Sequence, residues 1–493
     1  MSSSLVLAPL VLLSFALRIA IHLGRTPGGV DTWYYMAYAD AFARQPGLEV
    51  RLPQYLLQDE RQSYPPLFPS LLGLVPRRLR RRGYWLISPL LDAFHVAALM
   101  AFVLTTTGSV GAALVSGGVF ALTPLLIAEA RSLSGRAFAS LSFSLAMLAL
   151  LAAVGSGSWW VAAALLSATA VVLASGSMSA AYGFVSLVMT LVTGSPAYLA
   201  CFVGALVLAL FATGGHYGRV VVNYWHAVVY WWRNRARYGG HPIRNSPIYG
   251  RANGAAAKPG FLGGNRLQQL ARLLGENPFL LALPFVSDQG SASGHFAYWW
   301  ATSLAVLVVL ATLVPLLGAF GPSRGYMRAT IVPTAYLLGL ETTRPGWSAH
   351  PLAWATLLAG FGSCCAIGFF YWYARRRRTG QTTSAPEGLQ RAAQRLGELP
   401  GGALFCLPTV YTDYACYHSG HPVLWGGHCG NLHRLEAIAP VVTRPLDQLF
   451  REYDVRYVLL ETDYVGREEL GLGDRLRPLS EYGTLTLYEY SPT

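Results

Sequence analysis

The chain has 493 residues, of which 53% are hydrophobic and 12% charged. An ordinary soluble domain carries about 25% charged residues, so this composition excludes a soluble enzyme, a disordered chain and a fibrous protein, and describes a polytopic membrane protein. The 37 Lys+Arg outnumber the 24 Asp+Glu, giving a net charge of +13, and the only lysine is Lys258. A guanidinium surplus suits phosphate-bearing partners, and its placement between long apolar spans speaks against nucleic acid.

The first apolar stretch, 5–23, has neither a basic leader nor a small-residue cleavage site, and is read as a retained span. Loop 24–84 follows. It opens on Asp31-Thr-Trp-Tyr34-Tyr35 and later carries Tyr64-Pro-Pro-Leu-Phe-Pro69. A carboxylate at the bilayer edge among aromatics suits a general base or a metal ligand. It suits a helix N-cap equally well. The prolines forbid regular helix and hold an extended path, as a plain turn would.

Spans are expected at 85–106 and 109–128. Asp92 and His95 share one face of the first, either as functional groups or as hydrogen-bonded glue. Glu129-Ala-Arg131 and Arg136 come next. They read as a phosphate clamp, since Arg forks match phosphate oxygens, or as a surface ion pair. From 137 to 215 there is no Asp, Glu, Lys, Arg or His. Breaks at 155–158, 175–177 and 194–196 divide this run into four crossings.

Loop 214–265 is rich in aromatics and Arg (Tyr224, Trp225, Tyr230, Trp231, Trp232, Arg233), the pattern of an interfacial helix or of a surface that stacks on sugars. Further spans are expected at 297–319, 329–341 and 351–373, and another at 268–286, kinked at Asn277-Pro278. The expected fold is therefore an all-α polytopic bundle of about 10–11 transmembrane helices with a small C-terminal α/β domain. Arg324-Gly-Tyr326-Met-Arg328 opens one of the late spans, where Arg commonly snorkels to headgroups. Parity places loops 24–84, 129–136 and 214–265 on one side of the bilayer.

Residues 1–374 form the expected membrane domain and 375–386, beginning with Arg375 to Arg378, a basic linker. Residues 387–493 form the soluble domain, with helices at 387–399 and 446–453 and strands at 403–407, 455–460 and 484–490. It has no Gly-rich phosphate loop, so no nucleotide is assigned. Cys416 and Cys429 can be a disulfide or two thiols. The group Cys416, His418, His421, His428, Cys429 and His433 lacks the usual zinc-ligand spacings.

One span, the Asp31 motif, Tyr64 to Pro69, Glu129-Ala-Arg131 and the run Arg324 to Pro333 together resemble the GT-C class of membrane glycosyltransferases over about 1–375. That class includes protein O-mannosyltransferases, the lipid A aminoarabinose transferase and the oligosaccharyltransferase catalytic subunit. The resemblance implies sugar transfer from a polyprenyl-phosphate carrier on the extracytoplasmic face of the plasma membrane. It implies Asp31 and Glu129 as catalytic acids, Arg131, Arg136 and Arg324 on the donor phosphate, and Tyr34, Tyr64 and Tyr326 on the substrate. No metal ligand is assigned and a divalent cation stays open, as does whether the acceptor is glycan, lipid or protein. A tail Trp-Trp-Asp-Tyr-Gly motif is absent, which argues against transfer to Asn sequons.

With Asp31 as base, a single displacement inverts the anomeric centre. Arg77, Arg78, Arg80, Arg81 and Arg82 would make the active face cytoplasmic by the positive-inside rule, but that rule weakens for a loop of about 60 residues. Competing readings are a lipid-linked glycan flippase or transporter and an O-antigen-type polymerase. A transporter would place more charges deep in its spans.

Overall fold

The computed structural model describes residues 3–20, 30–47, 49–58, 61–156, 158–234, 265–286, 292–379, 385–426, 432–436 and 444–492. The first helices are α1 (Ser3–Ala20), α2 (Val30–Arg44), α3 (Leu67–Leu74), α4 (Arg77–Thr107), α5 (Val110–Ala121) and α6 (Pro124–Glu129). Then come α7 (Gly135–Ser156), α8 (Ser158–Ala174), α9 (Gly176–Thr193), α10 (Ala197–Ala212), α11 (His216–Arg233) and α12 (Arg266–Glu276). They are followed by α13 (Ala292–Leu313), α14 (Pro315–Phe320), α15 (Ser323–Glu341) and α16 (Pro351–Thr379). The last part holds α17 (Ala385–Gly397), β1 (Ala403–Leu407), α18 (Thr412–Ser419), α19 (Leu432–Leu435), α20 (Leu446–Glu452), β2 (Val455–Glu461), β3 (Leu476–Tyr482) and β4 (Leu485–Tyr490).

The chain is a multi-pass membrane protein. Among the described residues, Arg77–Thr107, Gly135–Ala153, Gly176–Thr193, Ala292–Leu313 and Pro351–Phe369 are each long and apolar enough to cross a bilayer. Val6–Ala20, Val110–Ala121 and Trp159–Ala174 are shorter apolar helices. The uncharged run forms four helices, α7 to α10, as its Gly, Ser and Pro clusters require. Ser175 caps α9 by accepting the Met178 N–H, and Gly194 ends it in the left-handed region at φ 69°. Segment 268–286 is not one span: Asn277-Pro278 divides it into the 11-residue α12 and an 8-residue 3-10 turn, Pro278–Phe285, both far below the roughly 20 residues a crossing needs.

Two compact units emerge, each assembled from separate stretches of chain. The first comprises Met1–Pro27, Arg81–Gly215 and Arg266–Ala374. In it α7 packs on α8, α13 on α15 and α9, and α15 on α5. Small residues set the α5–α15 distance: a Cβ on Gly339 would lie 2.0 Å from Ser116 Oγ and 2.8 Å from the Ala112 carbonyl oxygen. Close backbone approach of this kind is how helices associate in lipid, where no hydrophobic drive separates side chain from solvent. Almost every residue of α15 is buried, its two arginines included or half-shielded.

The second unit comprises Gly28–Arg80, His216–Asn265 and Arg375–Thr493. Its sheet has the order β1-β2-β4-β3, with β1 and β2 parallel and the other pairs antiparallel. All five β1 side chains are buried, the continuous apolar pattern of a strand covered on both faces. Beyond β1 the sheet is extended by the 423–424 segment, where the Leu404 N–H donates to the Pro422 carbonyl oxygen at 2.8 Å. A first-loop segment then adds to that one. The Leu56 and Leu57 N–H groups donate to the carbonyl oxygens of Val423 and Leu424, both at 2.9 Å, and the Val423 N–H donates to the Gln54 oxygen at 2.8 Å. Leu57 and, from α11, Tyr230 join the core of β1, β2 and β4. The expected tail strands and helices stand within a few residues of their places. β3 and α18 were not expected.

Candidate active site

In the first unit, five charged side chains from four regions of the chain form one buried network. Arg18, near the end of α1, donates from Nε to Asp92 Oδ2 at 2.9 Å and from Nη1 to Ser14 Oγ at 2.8 Å. Arg328 of α15 donates from Nη2 to Asp92 Oδ1 at 2.6 Å and from Nη1 to Glu129 Oε2 at 2.9 Å. Arg136 donates to Glu129 Oε1 at 3.2 Å. Charges so deep in a bundle persist only when paired, and here each carboxylate oxygen accepts from a guanidinium, with Arg328 shared between the two acids. Arg328 is thus buried in ion pairs and does not snorkel to the membrane surface.

Asp92 and His95 lie on the same side of α4, but they do not serve each other. Asp92 is held by the two arginines, and both His95 ring nitrogens lack a hydrogen-bond partner among the described residues. The imidazole instead packs edge-on to Phe120, with ring centroids 4.9 Å apart.

Glu129 closes the short α6, outside the spans. Burial by itself would raise its carboxyl, but Arg136, Arg328 and Arg324 outweigh that cost and hold its pKa below the usual carboxylate value. Arg136 is the second residue of α7 and Arg324 the second of α15, so both guanidiniums start at helix N-termini, which favour anions. Arg324 donates to Glu276 at 2.8 Å and remains 42% exposed. Arg131 is exposed just before α7. Tyr326 is 2% exposed and its ring lies against Gly321.

In the second unit, Asp31 lies in the first turn of α2, 5% exposed, where a negative charge is favoured by the helix dipole. The aromatic residues after it are fixed by partners from distant sequence. Trp33 packs against Tyr414 at 5.1 Å, Tyr417 at 5.4 Å and His418 at 4.5 Å between ring centroids, all from α18. The Tyr34 hydroxyl donates to Gln62 at 2.9 Å, and the hydroxyls of Tyr35 and Tyr64 meet at 2.6 Å. Tyr34 is buried and Tyr64 half-buried. At the far end of α2, Asp40 is paired with Arg80, lies 3.4 Å from Arg77 and accepts from the Tyr417 hydroxyl at 3.2 Å.

A second tie lies nearby. A Cβ on Gly426 would come 2.4 Å from the Tyr55 ring and 2.6 Å from Asp413 Oδ1, so only glycine lets the tail pass between these buried groups. Burial pushes the Tyr55 phenol well above its ordinary pKa, and the Asp413 carboxylate adds to the effect.

Of the expected site residues, the structure brings Glu129 and Arg136 into contact in the first unit, with Arg324 close enough to act on Glu129. In the second it brings Tyr34 and Tyr64 together, ring centroids 5.5 Å apart, with Asp31 in the first turn of the helix that carries Tyr34. Cys416 carries a buried free thiol. His428, Cys429, Arg235 and Arg237 lie outside the described residues, and among those described no group of three His, Cys, Asp or Glu could hold a metal ion. Arg18 and Arg328 were not singled out as site residues. The available signal for Arg18 was a lone arginine inside an apolar span.

No protein-family model matches the sequence, and no curated protein matches it by sequence. Solved structures match its fold. ArnT from Cupriavidus metallidurans bound to undecaprenyl phosphate superposes with a TM-score of 0.60 at 13% identity, covering 99% of this chain and 97% of that one. The oligosaccharyltransferase AglB from Archaeoglobus fulgidus, in complex with an inhibitory peptide and a dolichol-phosphate, gives 0.59 at 12% identity, covering 100% and 74%. The same archaeal oligosaccharyltransferase in its apo form gives 0.57.

The fold is GT-C. Both the helical bundle and the C-terminal domain take part in the match, since it runs over essentially the whole chain.

Proposed function

We propose that the protein is an integral membrane glycosyltransferase that moves a sugar from a polyprenyl-phosphate-linked donor to an acceptor on the extracytoplasmic side of the plasma membrane. The observation that carries this reading is the full-length likeness to a structure holding undecaprenyl phosphate. The charge layout supports it. As the sugar leaves, negative charge grows on the departing phosphate, and fixed guanidiniums at helix N-termini lower the barrier by a few kcal/mol per donor. Arg136, Arg324 and the exposed Arg131 are the groups assigned to that phosphate.

Asp31 is the proposed general base. It takes the proton of the acceptor hydroxyl as the oxygen attacks the anomeric carbon and the carrier phosphate leaves, a single displacement with inversion. Glu129, ionised and gripped by two arginines, positions Arg136 in this scheme and does not act as a second base. Tyr64, half-buried beside Tyr35, is the tyrosine available to substrate. The charges a transporter would need deep in its spans, Arg18, Asp92 and Arg328, are bound to one another.

The test is mass spectrometry of envelope glycans and glycolipids from cells with and without the protein, together with binding of undecaprenyl phosphate to the purified full chain. Loss of one glycosyl group and saturable lipid binding are expected. Unchanged glycans in cells lacking the protein would overturn the reading.

A further inference from the structure

In the buried network of the first unit, Arg18, Arg328 and Arg136 pair with Asp92 and Glu129. The five groups form a chain, Arg18–Asp92–Arg328–Glu129–Arg136, with an arginine at each end. The two ends differ. The Arg18 side chain is fully buried, whereas that of Arg136 is 34% exposed. Arg328 reaches both carboxylates, at 2.6 Å and 2.9 Å. If Arg136 swings away, therefore, neither acid loses its last partner. If Arg328 is removed, Glu129 keeps the hydrogen bond from Arg136. The outermost contact is also the longest of the ion pairs in the chain, at 3.2 Å.

We propose that Arg136 is an exchangeable cation. It rests on Glu129 while the site is empty and transfers to the donor lipid's phosphate when the lipid arrives, Arg328 keeping Glu129 paired. This deepens the proposed function and rests on it. The guanidinium has the same bidentate fit to carboxylate and phosphate, and the N-terminus of α7 favours the incoming anion. Glu129 is then a positioning residue that competes with the substrate for Arg136. The consequence is counterintuitive: removing the competitor strengthens lipid binding, although it removes an ion pair.

The experiment measures undecaprenyl phosphate binding to the full-length protein in detergent, by ligand-induced thermal shift and by native mass spectrometry. Wild type is compared with Glu129→Gln and Arg136→Gln, and inorganic phosphate is run as a second ligand. Glu129→Gln is expected to bind the lipid about two- to fivefold more tightly, the size of a half-exposed ion pair no longer in competition. Arg136→Gln is expected to bind at least about tenfold more weakly, with a thermal midpoint near that of wild type because both acids keep Arg328.

Inorganic phosphate is expected not to protect at the same concentrations. Equal protection by it would overturn the assignment to a lipid donor. Affinity unchanged or weakened in Glu129→Gln would overturn the exchange. Should that variant fail to fold, wild-type affinity in Arg136→Gln would overturn it just as well. Wild type that binds no undecaprenyl phosphate would instead overturn the proposed function itself.

Discussion

Asp92 and Arg328 are 236 positions apart in sequence and meet at 2.6 Å, both side chains almost completely buried. Removing one partner of such a pair leaves an uncompensated charge in a medium that cannot solvate it, at a cost of about 3–5 kcal/mol. Asp92→Asn leaves Arg18 without its carboxylate and Arg328 with Glu129, so it is expected to destabilise more than Arg18→Met, which leaves Asp92 with Arg328. Thermal unfolding in detergent checks the order. A midpoint for Asp92→Asn equal to wild type would show that the network does not hold the bundle together.

Asp31→Asn is expected to lower sugar transfer by about 10²–10⁴-fold, the range of a lost general base. The charge lost from the first turn of α2 costs the fold about 0.3–1 kcal/mol. A transfer assay paired with a melting curve separates the two effects, and near-normal transfer by this variant would remove Asp31 from the chemistry.

Trp33 is clasped by three rings of α18. Trp33→Ala is expected to cost the second unit about 3–5 kcal/mol and to loosen the helix that begins beside Asp31. Tyr417→Phe removes one hydrogen bond to Asp40, which keeps its arginine partners, so about 1 kcal/mol is expected. Hydrogen exchange over residues 30–44 reports both. Faster exchange in Trp33→Ala and little change in Tyr417→Phe is the predicted contrast.

The C-terminal module should weaken in acid. A hydrogen bond from Arg477 holds the Glu489 carboxyl below its usual pKa, with Arg456 adding to it against a smaller burial cost. A hydrogen bond from Tyr490 does the same for Asp447, helped by Arg475 and Arg451. For an acid whose folded value is depressed, the added stability is complete above the unfolded value, about 4 for these side chains, and is lost as pH falls through the folded one. Glu489→Gln should therefore melt earlier than wild type near neutrality, and the gap should close below about pH 4. A gap independent of pH would assign the effect to packing instead.

Much of this architecture is legible in the sequence because it is local. The breaks of the uncharged run lie at Ser175 and Gly194, and β1 occupies the segment read as a buried strand, since caps and continuous apolar runs act within a few residues. What escaped is not local. β3 carries Pro478 inside a strand of exposed and half-buried residues with one buried, which reads as a loop until β4 pairs with it at the edge of the sheet. Glu129 was visible as a charged residue beside Arg131 and Arg136, yet its deeper partner, Arg328, lies 199 positions away. Nor does anything in Gln54-Tyr-Leu-Leu57 announce a strand, because the backbone it pairs with belongs to the other end of the protein.

That pairing between Leu56 and Val423 sets an order for biogenesis. The ribosome releases the first loop early, then the whole bundle, and only near the end the segment that completes the loop's hydrogen bonds. Through that interval the loop's backbone groups stay open to water and to other chains, the exposure that edge strands ordinarily avoid, and closing so long a circuit is slow. A nascent chain cut short before residue 423 would insert its helices and still leave the Asp31 loop unfinished.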